Sequence, residues 1–173
     1  MTPAMVEERT TDVLDPAHGD LDIDEVLSPE DVTIARALFV EYAQAVDDPL
    51  CFAGFEEELA SLPGSYGPPQ GGLWLARVGG VVAACVAVRP LDDERCEMKR
   101  LYIRAAFRGY GLGRLLAERC LGFARERGYR RMYLDTLPSM VRARSLYATL
   151  GFVETGPYGE RQHPELHYLA VEL

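Results

Sequence analysis

Between residues 95 and 135 the chain changes its period twice around one glycine-rich segment, which restricts the fold more than any other feature. Residues 95–103 read as a strand. Arg104-Ala105-Ala106-Phe107-Arg108-Gly109-Tyr110-Gly111-Leu112-Gly113-Arg114 follows. From there Leu112, Leu115, Leu116, Cys120, Phe123 and Ala124 recur at helical spacing until Gly128 stops the pattern. Residues 132–135 form a short apolar strand. Strand, helix and strand in that order imply a crossover connection and a parallel pair.

The flanks obey a different rule. Residues 73–78 and 81–89 are strands joined by Gly79-Gly80, a tight hairpin signal, and a turn at Asp92-Asp93 leads on to residue 95. Upstream, apolar and acidic residues alternate over 21–26, as in a half-buried strand. Ser28-Pro29-Glu30-Asp31 starts a helix, with Ser28 as cap and Pro29 in the first position. That helix turns Val32, Ala35, Leu38, Phe39 and Tyr42 inward and ends before Asp47-Asp48-Pro49. A second short helix is expected over 52–62, and 63–72 is a Gly/Pro loop. Beyond residue 135, a helix over 139–150 stops at Gly151, and 152–155 and 166–171 close the sheet. The expected fold class is mixed α/β (α+β). An antiparallel N-terminal meander precedes a central parallel strand pair, with about four helices around the sheet. Residues 21–173 make one domain. Residues 1–20, which lack periodicity and hold Pro3, Pro16 and Gly19, are expected to be a mobile tail.

Apolar residues make up 48% and charged residues 26%, which suits a soluble globular chain. No apolar run approaches the ~20 residues that span a bilayer, so no membrane partner is expected. The acidic N-terminal stretch has no apolar core of a secretory signal, and a cytoplasmic address is the expectation. Cys51, Cys85, Cys96 and Cys120 form no C-x-x-C pair and read as buried thiols. The net charge of −9 is unevenly spread. Residues 1–62 hold sixteen acids against Arg9 and Arg36, while 95–131 hold eleven bases against Glu97, Glu118 and Glu126. Such a chain is not a general nucleic-acid binder; it has one local site for a polyanion. Arg125, Arg127, Arg130 and Arg131 equally suit a solvated helix face.

The glycine segment can supply that site. Glycines let successive N–H groups point into one hollow. The helix that follows adds its unpaired first-turn amides and the positive end of its dipole, a setting for phosphate or pyrophosphate. A P-loop needs a lysine, which this segment lacks. A Rossmann G-x-G-x-x-G fails at Arg114 or Leu116, although Asp135 stands where a ribose-binding acid would. The preceding strand, Glu97-Met98-Lys99-Arg100-Leu101, is also too polar for a strand buried on both faces. The pattern R-x-x-G-x-G, on Arg108, Gly111 and Gly113, fits.

These residues resemble the GNAT superfamily of N-acetyltransferases. Arg108-Gly109-Tyr110-Gly111-Leu112-Gly113 is similar to its pyrophosphate signature. Ala143-Arg144-Ser145-Leu146-Tyr147-Ala148-Thr149-Leu150-Gly151-Phe152 is similar to its later A-x-x-L-Y-x-x-x-G-F signature. Residues 96–103 with 134–138 also look like a large bacterial subgroup of mostly unassigned substrate. The resemblance runs from Gly72 to Phe152. It implies acetyl-CoA as co-substrate, held at the pyrophosphate by Arg108, Gly109, Tyr110, Gly111, Leu112, Gly113 and Arg114. It implies main-chain pairing of the pantetheine arm with Leu101, Tyr102 and Ile103, in a gap between splayed strands, and an oxyanion donor at the N–H near Ile103. The family's frequent asparagine is Met140 here, so Ser139 or Arg142 is expected to supply that contact. The implied activity is acetyl transfer by direct attack from a primary amine of a small-molecule acceptor, with no metal and no nucleic acid. A protein N-terminus or lysine as acceptor, and a non-catalytic acyl-CoA-binding regulatory module, are the alternatives. A homodimer is left open.

The same resemblance gives roles to side chains. Tyr147 is the expected proton donor to the departing thiolate, since a phenol with pKa about 10 keeps its proton at neutral pH; otherwise it is a core tyrosine. Glu97 is the expected base, directly or through water, or else a strand carboxylate paired with Lys99 or Arg100. Tyr66, Asp135 and Tyr158 are candidate acceptor contacts, Asp135 alternatively capping the turn at Thr136-Leu137-Pro138. The acidic N-terminal half favours a cationic amine. His163 and His167 are four apart, but Pro164 prevents the helix that would aim both at a metal, so they read as exposed loop residues.

Overall fold

The computed structural model describes residues 19–160 and 162–173. Four strands, β1 (Leu21–Glu25), β2 (Gly72–Val78), β3 (Val81–Pro90) and β4 (Arg95–Ile103), pair antiparallel in chain order. β5 (Arg131–Thr136) joins β4 in parallel, and β7 (His167–Glu172) lies between β5 and β6 (Val153–Thr155), completing a seven-stranded sheet. The helices are α1 (Pro29–Val46), α2 (Phe55–Ser61), α3 (Leu112–Glu126) and α4 (Val141–Thr149). Residues 1–18 of the proposed tail lie outside the described residues. Among the described residues no helix is long and apolar enough to cross a membrane.

Local chemistry sets the boundaries. Ser28 Oγ accepts from the Asp31 N–H at 3.1 Å and opens α1. Gly79 and Gly80 both take positive φ, 57° and 80°, closing the β2–β3 turn in the hand that matches strand twist. The helix expected over 52–62 is broken in two. Asp48 accepts from the Leu50 N–H and Pro49 starts a 3₁₀ turn, Pro49–Phe52, and Gly54 at φ 74° separates it from α2.

Two cores sandwich the sheet. One holds Trp74, Val86 and Met132 under Leu116, Cys120 and Phe123 of α3; the other holds Leu73, Leu75 and Cys85 under Leu38 and Phe39 of α1. Each large side chain buried there is worth about 1.5–3 kcal/mol, against about 0–1 kcal/mol for an exposed ion pair, so these layers hold the fold. Cys85, Cys96 and Cys120 are buried, Cys51 is half-buried, and all four are free thiols.

β4 departs from its sequence reading. Its polarity argued against burial on both faces, yet Glu97 and Arg100 are only 2% and 7% exposed. Burial is tolerated because each is paired, Glu97 with Arg89 and Arg100 with Glu58. β4 also carries one extra residue. Ala87 pairs with Lys99 and Cys85 with Tyr102, so Val86 faces both Arg100 and Leu101, and Arg100 takes φ 60°. β4 pairs with β5 only from Arg95↔Arg131 to Glu97↔Tyr133. Beyond that rung β4 stays with β3 and β5 stays with β7, so the two strands part.

Candidate active site

The parting strands frame a cleft of about 830 Å³, within the range of small-ligand sites. Leu101, Tyr102 and Ile103 form one wall, Leu134, Asp135 and Thr136 the other. The wall has polar main chain to offer. Arg104 N–H donates to Ala83 O, which makes Ile103–Ala84 a pair without mutual hydrogen bonds. The N–H and C=O of Ile103 therefore turn away from β3 and toward the gap. By alternation those of Leu101 do the same.

The glycine loop closes one end. Gly111, at φ 77°, is the N-cap of α3, a conformation costly for any residue with a Cβ. The first bond of the helix runs from Leu115 N–H to Gly111 O, so the amides of Leu112, Gly113 and Arg114 have no acceptor further back. All three residues line the cleft, with Arg108, Gly109 and Gly111, and the first turn holds no acid. Gly113 is packed tightly: a Cβ there would lie 3.2 Å from Ile103 Cδ1 and 3.3 Å from Leu146 Cδ2. Arg108 Nε donates to Ile103 O at 3.0 Å, while Arg114 bonds Thr149 Oγ1 and pairs with Glu118. Tyr110 stands outside the lining. Ser139 and Arg142 are in it, on either side of Met140 and Val141.

Tyr147 lines the cleft from α4 and is 8% exposed. Burial first, then the nearby Tyr42, Cys120 and Asp135, holds its pKa well above the usual tyrosine value, so it keeps its proton. Among the described residues its hydroxyl makes no hydrogen bond. Tyr42 enters from α1 and stacks on Tyr102 at 5.3 Å.

A second cavity, about 790 Å³, adjoins the cleft; both are lined by Cys51, Lys99, Arg100 and Asp135. Glu97 belongs to this second space. Its Oε2 accepts from Arg89 Nε and Nη2 at 3.0 and 2.9 Å, and its Oε1 accepts from the Tyr158 hydroxyl at 3.2 Å and lies 3.3 Å from Lys99 Nζ. The alternative partner named above, Arg100, is instead bidentate to Glu58 (2.8 and 3.1 Å) and lies 4.6 Å over the Phe52 ring. Among the described residues Asp135 accepts no capping hydrogen bond from the turn after it, and its nearest cation is Lys99 Nζ at 3.9 Å. Burial raises its carboxyl and Lys99 opposes that. Tyr158 is buried against Tyr133 and Tyr168. Tyr66, a candidate acceptor contact in the Gly/Pro loop, is 2% exposed, and its hydroxyl donates to Glu58 at 2.7 Å; it braces the cavity wall.

His167 is not in a loop. It lies half-buried on β7 with Nδ1 3.2 Å from Glu154 Oε1, while His163 Nδ1 accepts from the Glu165 N–H. Among the described residues no three His, Cys, Asp or Glu side chains are placed to hold a metal ion.

Glu58 gives a pH prediction. Burial opposes its charge, but the Arg100 hydrogen bonds and charge with the Tyr66 hydroxyl outweigh that and hold its pKa below the usual value. A carboxyl depressed on folding adds stability above its unfolded pKa of about 4.3, which is lost as pH falls through the folded value. Denaturation curves taken stepwise from about pH 5 to pH 3 should therefore fall more steeply for wild type than for Glu58→Gln.

Residues 35–152 match the acetyltransferase (GNAT) family. The chain belongs to the GNAT family. An uncharacterized N-acetyltransferase of Schizosaccharomyces pombe is 37% identical over 157 residues, covering 90% of this chain and 96% of its own. Among solved GNAT-like folds, an acetyltransferase from Streptococcus agalactiae gives a TM-score of 0.74 at 22% identity, covering 88% of this chain and 98% of that one. Another from Salmonella typhimurium, solved with its cofactor acetyl-CoA, gives 0.66 at 18% identity, covering 89% and 94%. With a yeast relative this near, the narrower bacterial subgroup is not retained. Sequence reasoning about this GNAT protein named Lys99 as a partner of Glu97 but missed Arg89, and it read Tyr42 and Cys51 as buried residues without placing them at the site. Only the register of Arg89 against Glu97 across the β3–β4 turn could have signalled one of them.

Proposed function

We propose that this protein transfers an acetyl group from acetyl-CoA to a primary amine on a small-molecule acceptor, by direct attack. The observation that carries the reading is that two adjoining cavities share Lys99 and Asp135 in their walls. One is faced by main-chain amides, the other by charged side chains. The cleft fits a diphosphate-bearing thioester: three first-turn amides at one end, in a turn that holds no acid, and outward-facing peptide groups of Leu101 and Ile103 along the wall. When bound, acetyl-CoA supplies an activated acyl group. The chain's part is to hold the diphosphate on the amides of Leu112, Gly113 and Arg114, with Arg108, Ser139 and Arg142 close by. The Ile103 N–H is the donor toward the acyl oxygen. Tyr147 presents its proton to the departing sulfur. The second cavity, about 790 Å³ and lined by Glu57, Glu58, Glu97 and Glu160, has the size and the carboxylates to take a small cationic amine.

The test is thiol release from acetyl-CoA across an amine panel. Tyr147→Phe is expected to lower kcat by about 10²-fold while leaving the acetyl-CoA-induced rise in melting temperature unchanged. Full turnover by that variant would remove Tyr147 from the chemistry. A melting temperature raised by NAD and not by acetyl-CoA would remove the whole reading.

A further inference from the structure

We infer that the acceptor enters the second cavity as an ammonium ion and that Asp135, at the neck between the cavities, takes its proton. This rests on the acetyl-transfer reading above. Attack on a thioester needs a nitrogen lone pair, and an alkylammonium near neutral pH has none. Two carboxylates stand near the neck, Glu97 and Asp135, and they are not equivalent.

Glu97 is saturated. A carboxylate offers about four lone-pair sites, and four groups already occupy those of Glu97: two nitrogens of Arg89, the Tyr158 hydroxyl and Lys99 Nζ. Protonating it would uncouple a buried ion pair. Asp135 accepts no side-chain hydrogen bond among the described residues. Its side chain keeps 21% exposure, and it lines both spaces. A base must reach the proton it takes, and Asp135 is the carboxylate common to both cavities.

Its surroundings keep it usable. Lys99, Arg100 and Glu97 face it from β4 and Arg89 from β3; Tyr42, Cys51, Tyr147 and Tyr158 face it from α1, the 3₁₀ turn, α4 and the last loop. The cavity's charges also select the acceptor's sign. Arg89 is committed to Glu97, Arg100 to Glu58 and the Cys51 carbonyl, and Lys99 lies between Glu97 and Asp135. Glu57 and Glu160, also in the lining, form no ion pair among the described residues. A cation therefore finds open partners there.

The step balances. One N–H bond of the ammonium breaks and an O–H bond forms on Asp135. The freed nitrogen pair makes the N–C bond to the acyl carbon as the C–S bond breaks. The sulfur takes the Tyr147 proton, Tyr147 recovers one from the nitrogen, and Asp135 releases its own to solvent.

Two probe amines test this at pH 7. Ethylamine is protonated there, whereas methoxyamine already carries a free lone pair. Asp135→Asn is expected to lower thiol release with ethylamine by about 10²–10³-fold and with methoxyamine by less than about 5-fold. Glu97→Gln is expected to affect both amines alike. An acetyl-CoA-induced rise in melting temperature matching wild type shows that Asp135→Asn is folded and loaded. Equal losses with the two amines would overturn the assignment of Asp135. Wild type that acetyl-CoA stabilises but that releases no thiol with either amine would overturn the transfer reading, and the base with it.

Discussion

Arg100→Met is expected to lose about 3–5 kcal/mol of folding stability, measured as the change in denaturation midpoint at constant m. That is a large fraction of what a domain of this size possesses. The reason is not the strength of the Arg100–Glu58 attraction in itself. Arg100 is 7% exposed, and its guanidinium satisfies both oxygens of Glu58 and the Cys51 carbonyl while lying over Phe52. Removing it strands a half-buried carboxylate and an acceptor in a wall where water is scarce. A double variant, Glu58→Leu with Arg100→Met, should therefore be more stable than Arg100→Met alone, since it leaves no uncompensated charge. A double variant weaker than the single would mean that packing, not charge pairing, holds this corner.

Gly113→Val is expected to abolish the stabilisation by acetyl-CoA. At a hundredfold excess over Kd a ligand that binds only the folded state adds about 2.7 kcal/mol, and losing all of it implies at least a hundredfold weaker binding. The cause is geometric. Any Cβ at residue 113 presses on Ile103 Cδ1 and Leu146 Cδ2 at 3.2–3.3 Å, so a branched side chain pushes the first turn of α3 off its seat beside β4 and α4. The three amides that face the cleft move with it. A variant that keeps the full melting-temperature rise would show that the diphosphate is held elsewhere.

Where the chain reveals its fold, one residue type does so locally. Gly79-Gly80, Gly111 and Gly128 each sit at positive φ where a turn, a cap or a helix end needs it, so the meander and the start and end of α3 could be read directly. What escaped reading depends on partners far apart in sequence. Arg89 meets Glu97 because the β3–β4 register places them opposite each other, whereas sequence proximity pointed to Lys99, which does pair with Glu97, and to Arg100, which pairs with Glu58 instead. Tyr66 sits among glycines and prolines and reads as a loop, yet its ring packs edge-on to Phe39 and its hydroxyl reaches Glu58. The second cavity draws its walls from α2, β3, β4 and the loop after β6, and no local pattern announces such a convergence. The extra residue in β4 gives no signal either, because the left-handed position is filled by arginine rather than glycine.

That extra residue makes the opening between the strands a question of counting. Two residues of β4 answer one of β3, just past the Glu97 rung where pairing with β5 stops, and a surplus of that kind bends the strand that carries it. Deleting position 100 is expected to leave Met98 and Ile103 facing the layers they face now while straightening the ribbon, so that pairing with β5 could run past the Glu97 rung and close the cleft.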